Sequence, residues 1–230
     1  MENLNDFLNE NPVAKIAEAK FVPVKNIPGL YICDDIIDQN AEFALLHQVN
    51  QEKWLAELTR RVQHYGYKYD YKKRRISKND YLGELPIWSN VLSSKIFELV
   101  DKARIQLPYK KFDQMIVNEY KTGQGISPHT DCVPCFLDGI ASVTLGCNGI
   151  MTFSKYESSS DDDDHHEGGG CGMMFVKPEE KYHILLKRRS VVLLTGESRY
   201  KWTHAVVPAK NKIFTESNPR ISLTFRKIID

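Results

Sequence analysis

Beyond Lys110 the chain becomes a succession of short apolar runs, and that texture limits the folds open to it. The runs are Gln114–Tyr120, Ala141–Leu145, Gly149–Phe153, His183–Leu186, Ser190–Thr195, His204–Pro208 and Arg220–Ile228, separated by clusters of Gly, Pro and Asp. Runs of this length cut by turn formers read as strands, and many of them without an internal repeat point to a β-sandwich or jelly roll. Two earlier stretches carry apolar residues near helical spacing. Asp38 to Leu55 does so through Phe43, Leu45, Leu46, Val49 and Trp54; Leu85 to Leu107 does so through Ile87, Trp88, Val91, Leu92, Ile96, Phe97, Leu99 and Val100, with Pro86 suited to a first helical turn. Phe21 to Cys33 reads as extended. The expected class is mainly β with flanking helices (α+β), a double-stranded β-helix or jelly roll with the two helices buttressing one sheet.

A chain of 230 residues with a 42% apolar content can bury a substantial core. Residues 1–20 are expected to form an N-terminal extension and 21–230 one domain, interrupted by an acidic insert at 157–172. Within it, Ser158 to Gly170 has almost nothing to bury and should be a surface loop. Lys and Arg total 31 against 30 Asp and Glu, so overall charge selects no partner and only its distribution can. The five cysteines, Cys33, Cys132, Cys135, Cys147 and Cys171, form an odd set without a secretory signal, which favours reduced thiols. The start of the chain has no apolar signal core and no segment is long enough to span a bilayer. The expectation is a soluble cytoplasmic or nuclear protein that is not secreted, has no membrane association and acts as a monomer.

His129-Thr130-Asp131 is a weak signal alone, since such tripeptides arise by chance. Its setting strengthens it. Residues two apart on a strand point to one face, and the tripeptide follows the turn Gly123 to Pro128 that leaves the strand ending at Tyr120. His204 opens a later apolar run, and opposed jelly-roll strands bring distant positions together. Two imidazoles and one carboxylate can cap one face of an octahedral iron, leaving positions for a co-substrate and dioxygen. A dicarboxylate co-substrate such as 2-oxoglutarate also needs a cation, for which the planar fork of Arg is suited. In Arg220-Ile-Ser-Leu-Thr-Phe-Arg226, alternation places Arg220, Ser222, Thr224 and Arg226 on one face and Ile221, Leu223 and Phe225 on the other.

Taken jointly, Asn118-x-Tyr120, His129-x-Asp131, His204 and Arg220-x5-Arg226 resemble the signature of the AlkB family of Fe(II)/2-oxoglutarate dioxygenases, over roughly residues 112–228. Gly196-Glu197-Ser198-Arg199 is similar to the family segment before the distal histidine. The resemblance implies that His129, Asp131 and His204 bind iron and form the catalytic centre. It implies that Arg220, with Tyr120, holds the distal carboxylate of 2-oxoglutarate, that Asn118 bonds near its keto-acid end, and that Arg226 contacts that end and supports Asp131. Ser222 joins this co-substrate set; it stands where repair enzymes of the family tend to have Asn, which counts against a repair demethylase. Ala205 follows the distal histidine where Gly is common.

A finer resemblance, through Arg60-Arg61-Val62-x-His64-Tyr65-Gly66-Tyr67, Asp113-Gln114-Met115, Arg188-Arg189-Ser190 and Thr195 to His204, is to the branch that hydroxylates a wobble-uridine modification in tRNA. It implies a nucleic-acid substrate, tRNA favoured, and a separate tRNA methyltransferase as a partner. Arg60 to Lys78 is strongly basic, with Tyr65, Tyr67, Tyr69 and Tyr71 alternating, so the four rings are expected on one face of one strand. Cations for phosphates and rings for unstacked bases suit nucleic acid, and in the family this region is the nucleotide-recognition lid. The candidate contacts are Arg60, Arg61, His64, Tyr65, Tyr67, Lys72, Lys73, Arg74 and Arg75.

Cys132-x-x-Cys135 lacks a second cysteine pair for zinc and is expected to be a pair of thiols open to oxidation. Asp161 to His166 is better a solvated loop than a metal site, and Arg188-Arg189 a polar start to a strand. Four functions compete: hydroxylation of a modified tRNA base, oxidative demethylation of alkylated DNA or RNA, non-catalytic nucleic-acid binding by a jelly roll, and protein hydroxylation, which the basic Tyr-rich stretch makes less attractive.

Overall fold

The computed structural model describes residues 19–155, 180–208 and 219–229. The N-terminal extension up to residue 18, the acidic insert and Cys171 lie outside them. Among the described residues, eleven strands form two antiparallel sheets. The larger runs β1 (Val22–Pro23), β2 (Leu30–Cys33), β9 (Ser190–Leu194), β6 (Ile140–Leu145), β11 (Arg220–Arg226), β4 (Gln114–Tyr120) and β3 (Arg61–Tyr65), in that spatial order. The smaller runs β5 (Ile126–His129), β10 (Trp202–Val206), β7 (Gly149–Lys155) and β8 (Glu180–Leu186).

Helices α1 (Gln39–Gln51) and α2 (Ile87–Lys102) cover one face of the larger sheet. Asp38 starts α1, its carboxylate accepting from the Ala41 amide at 2.8 Å, and Ala41, Leu45 and Val49 face inward. They meet Met115 and Val117 of β4 and Ile221, Leu223 and Phe225 of β11, the apolar half of the alternation. Phe43 belongs to the periodic set but points to water, 74% exposed.

The other face of the larger sheet looks toward the smaller one. Leu30, Val192 and Leu194 pack there against Met151, Phe153, Trp202 and Val206. Beyond this plug the face turns polar, because β11 and β4 set Arg220 opposite Tyr120, Ser222 opposite Asn118 and Arg226 opposite Gln114. The jelly roll therefore has a dry end and a polar end.

Three expectations need correction. First, the alternating tyrosines do not share a strand. β3 ends at Tyr65 because Gly66 turns the chain at φ +74, where an added Cβ would sit 1.8 Å from the Asp113 carbonyl oxygen. Tyr65 then packs edge-on against Trp88, Tyr67 against Tyr81, Tyr69 against Phe136 and Tyr71 against His64. Second, Cys132 and Cys135 form a disulfide rather than free thiols. The tight turn brings their Cα atoms to 5.2 Å, within bridging range. Third, Arg188 and Arg189 do not begin a strand but sit in the β8–β9 turn. There they meet the fully buried Glu42 of α1, at 2.8 Å and 3.3 Å, and pin that helix to the sheet.

Candidate metal centre and co-substrate pocket

The sheet register itself joins the two histidines: His204 of β10 is the direct cross-strand partner of His129 of β5. Their rings lie 4.4 Å apart. Asp131 lies two residues past the end of β5, outside any strand, and still reaches the same point, its Oδ2 3.7 Å from His204 Nε2. Ligand atoms of His129, Asp131 and His204 all fall within 4.8 Å of one another. His129 Nδ1 lies 2.9 Å from the Ser127 carbonyl oxygen. A carbonyl only accepts, so Nδ1 carries the proton and Nε2 keeps its lone pair for a metal.

Electrostatics keeps Asp131 and His204 in their coordinating forms. Burial by itself would raise the Asp131 carboxyl, but Arg226, then His204, His129 and Arg199, outweigh it and hold it well below the usual carboxylate range. Burial first, then His129, pushes His204 down to about 3, so its imidazole is neutral. Arg226 donates to Asp131 Oδ1 at 2.8 Å and to Gln114 Oε1 at 3.1 Å, which turns the other carboxylate oxygen toward His204. Two imidazole nitrogens and one carboxylate oxygen, convergent and not hydrogen-bonded to each other, are the donor set of an iron facial triad.

Arg220 projects from the same polar face of β11, at the other end of the strand from Arg226. It is 3% exposed, stands 5.2 Å from the Tyr120 ring and donates to Thr144 Oγ1 at 3.0 Å. Its Nε and Nη1 have no hydrogen-bond partner among the described residues. A buried guanidinium with two idle donors and no carboxylate is the complement of a bound anion. Gly149 makes room for it, since a Cβ there would lie 2.7 Å from Arg220 Cδ and Nε. Gly149→Ala is accordingly expected to raise the KM for 2-oxoglutarate about tenfold by displacing that fork, as measured by succinate release. An unchanged KM would separate Gly149 from the pocket.

The chain matches the profile of the 2OG-Fe(II) oxygenase superfamily over residues 37–226. The chain belongs to that superfamily. Its relatives place the oxygenase in the AlkB type. It is 35% identical over 210 residues to "Alkylated DNA repair protein ALKBH8 homolog" of Arabidopsis thaliana, covering 88% of this chain and 59% of that protein. It is 34% identical over 191 residues to "tRNA (carboxymethyluridine(34)-5-O)-methyltransferase ALKBH8" of Mus musculus, covering 80% of this chain and 25% of that protein. The chain therefore spans only part of these relatives. The solved structure of OsALKBH1 shares the fold, with a TM-score of 0.65 at 16% identity over 90% of this chain and 99% of that one. The cofactor set of this AlkB-type oxygenase is Fe(II), 2-oxoglutarate and dioxygen, and the His-Asp-His group fits the iron.

The residues foreseen as nucleic-acid contacts separate into three environments. Lys72, Lys73, Arg74 and Arg75 are exposed, on the loop that follows Gly66. Arg61 and Tyr65 turn away from the polar interior: Arg61 pairs with Glu119 at 2.6 Å and lies over Trp54, and Tyr65 packs on α2. Arg60 and His64 are buried, each 8% exposed, on the interior side. Arg60 Nε donates to Asn118 Oδ1 at 2.8 Å and its guanidinium lies 5.8 Å from Tyr120. Neither ring nitrogen of His64 has a partner among the described residues, nor does the hydroxyl of its neighbour Tyr71.

Burial pushes His64 down to about 4. Because the unfolded chain takes up a proton near pH 6.5 that the folded one refuses, stability is complete above that pH and declines as pH falls toward 4. A loss on the order of 2 kcal/mol between pH 7 and pH 4.5 follows from this group. His64→Phe should flatten that part of the profile in urea titrations; an identical slope in both proteins would remove His64 as its source.

Sequence reasoning did not single out Thr144 or Gly149. Both sit in strands where alternation alone says which face they take, but not that Arg220 ends between them. Gln114 was legible only as part of a family-like tripeptide, with no hint that it shares Arg226 with Asp131.

Proposed function

We propose that this chain hydroxylates a modified wobble uridine in tRNA. The observation that carries the proposal is the position of the basic loop. The Arg74 carbonyl oxygen is 3.4 Å from Cys132 Sγ, so the exposed Lys72–Arg75 run lies against the turn that holds Asp131. Lys72, Arg74 and Arg75 have no ion-pair partner among the described residues and are free for phosphates. Buried beside this loop are the His64 ring and the Tyr71 hydroxyl, without hydrogen-bond partners among the described residues, and Arg60, held by Asn118; all are polar groups suited to the edge of a base. The mouse relative is named for tRNA carboxymethyluridine and the Arabidopsis relative for alkylated DNA, which supports a nucleic-acid substrate.

In this proposal His129 Nε2, Asp131 Oδ2 and His204 Nε2 hold the iron. When bound, iron, 2-oxoglutarate and dioxygen supply hydroxylation of a substrate C–H bond, with succinate and carbon dioxide as co-products. Arg220 receives the distal carboxylate of 2-oxoglutarate on its idle Nε and Nη1, and Tyr120 and Ser222 line the approach. Asn118, its Oδ1 held by Arg60, presents its amide N–H groups to the keto-acid end. Arg226 keeps Asp131 ionised and aimed. A methyltransferase acting before or after the hydroxylation would be a separate partner.

The test is incubation of the iron-loaded protein with 2-oxoglutarate and either total tRNA or methylated oligonucleotides. A gain of one oxygen atom on a wobble uridine supports the proposal. Formaldehyde release from methyladenine or methylcytosine replaces it with oxidative demethylation. Replacing Arg74 and Arg75 together by glutamine should weaken tRNA binding about tenfold and reduce the salt slope of log Kd by about 2; an unchanged slope would detach this loop from the phosphate backbone.

A further inference from the structure

The β ladder accounts for two of the three candidate ligands and leaves the third unexplained. His129 and His204 are fixed by cross-strand pairing, whereas the main chain at Asp131 belongs to no strand. What holds it is the side chain of Arg199, 1% exposed. Its Nη1 donates to the Asp131 carbonyl oxygen at 2.9 Å, and its Nη2 to those of Cys132 at 3.2 Å and Phe136 at 3.4 Å. Arg199 forms no ion pair with a carboxylate among the described residues, so its planar fork is committed to the backbone of this one turn.

The other end of Arg199 is equally constrained. It lies in the short helix α3 (Gly196–Tyr200), just ahead of His204 in β10. The amide of Gly196 donates to both carboxylate oxygens of Asp138, at 2.9 and 3.1 Å, and the Ser198 amide donates to the Pro28 carbonyl at 2.9 Å. One side chain thus bridges the segment leading into His204 and the turn carrying Asp131.

We propose that Arg199 is a positioning residue for the metal centre, setting the separation of Asp131 from His204. Arg226 aims the Asp131 carboxylate, and Arg199 fixes the backbone from which it projects. The inference rests on the assignment of His129, Asp131 and His204 as metal ligands.

The test uses Co(II) as a spectroscopic probe on the purified full chain, with thermal unfolding followed in parallel. Arg199→Met keeps the length of the side chain and removes its donors. It should weaken Co(II) binding between 10- and 100-fold, in the range of other groups that orient metal ligands, and shift the visible d–d bands. Arg199→Lys, which retains donors but not the fork, should fall between the two. A folded Arg199→Met protein with wild-type affinity and bands would overturn the proposal, because a purely structural residue would lower only the melting temperature. Should Arg199→Met not fold, Arg199→Lys decides: altered bands support the proposal, wild-type bands overturn it. If neither folds, Arg199 is a folding residue and the proposal is overturned. Wild-type protein that binds no Co(II) would instead refute the ligand assignment on which it rests.

Discussion

Asp131→Ala is expected to abolish 2-oxoglutarate turnover and also to destabilise the protein by about 3–5 kcal/mol, the usual result of breaking one side of a buried ion pair. The second effect comes from Arg226, which would be left 8% exposed with only Gln114 as an acceptor. His204→Ala should abolish turnover as completely but disturb the fold less. The imidazole it removes is buried and neutral, and its Nδ1 has no hydrogen-bond partner among the described residues. Urea unfolding of both variants, beside a succinate assay, separates the two roles. Equal destabilisation would mean that the Asp131–Arg226 pair contributes nothing special to the fold.

Arg220→Met should move binding and stability in opposite directions. Losing the fork removes the anchor for the distal carboxylate, and 2-oxoglutarate affinity should fall by about 100-fold, the equivalent of a charge-assisted pair of bonds. The metal-free, co-substrate-free protein should become more stable by roughly 1–4 kcal/mol, because an unpaired buried cation is replaced by an apolar chain of similar length. Burial lowers the pKa of this guanidinium, in line with an environment that disfavours its charge until an anion arrives. In wild type, saturating 2-oxoglutarate at about 100 times its Kd should add about 2.7 kcal/mol, and in the variant almost none. A variant that is both inactive and less stable would show that Arg220 supports the fold instead of waiting for a ligand.

The contrast between these two arginines illustrates what is readable from residues alone. Alternation in Arg220 to Arg226 correctly separated the polar from the apolar face, because a strand has period 2 and a sheet buried on both sides leaves no freedom to slip. The His-x-Asp tripeptide was legible for the same reason, although the inference that both residues ride one strand was not correct: β5 stops at His129. The burial of Arg60 and His64 was not legible, because polar residues are normally outside. Only the three-dimensional polar interior explains their burial. The tyrosine series misled for a local reason, since period 2 across Gly66 means nothing once Gly66 turns the chain. Arg199 left no signal of its function, as its partners are carbonyl oxygens that every residue possesses.

The direct pairing of His129 with His204 has a consequence for which changes the chain tolerates. Side chains alternate across a strand, so a one-residue slip of β10, from adding or deleting one residue between Gly196 and His204, would turn the imidazole to the other face together with Trp202 and Val206, which share its face and belong to the hydrophobic plug. Such a protein would lose its metal centre and part of its core together. Surface loops usually absorb changes in length at little cost. This segment is a ruler: its residue count is the quantity that function holds constant, and a homologue with a one-residue indel there would be expected to have lost its oxygenase chemistry whatever else it had kept.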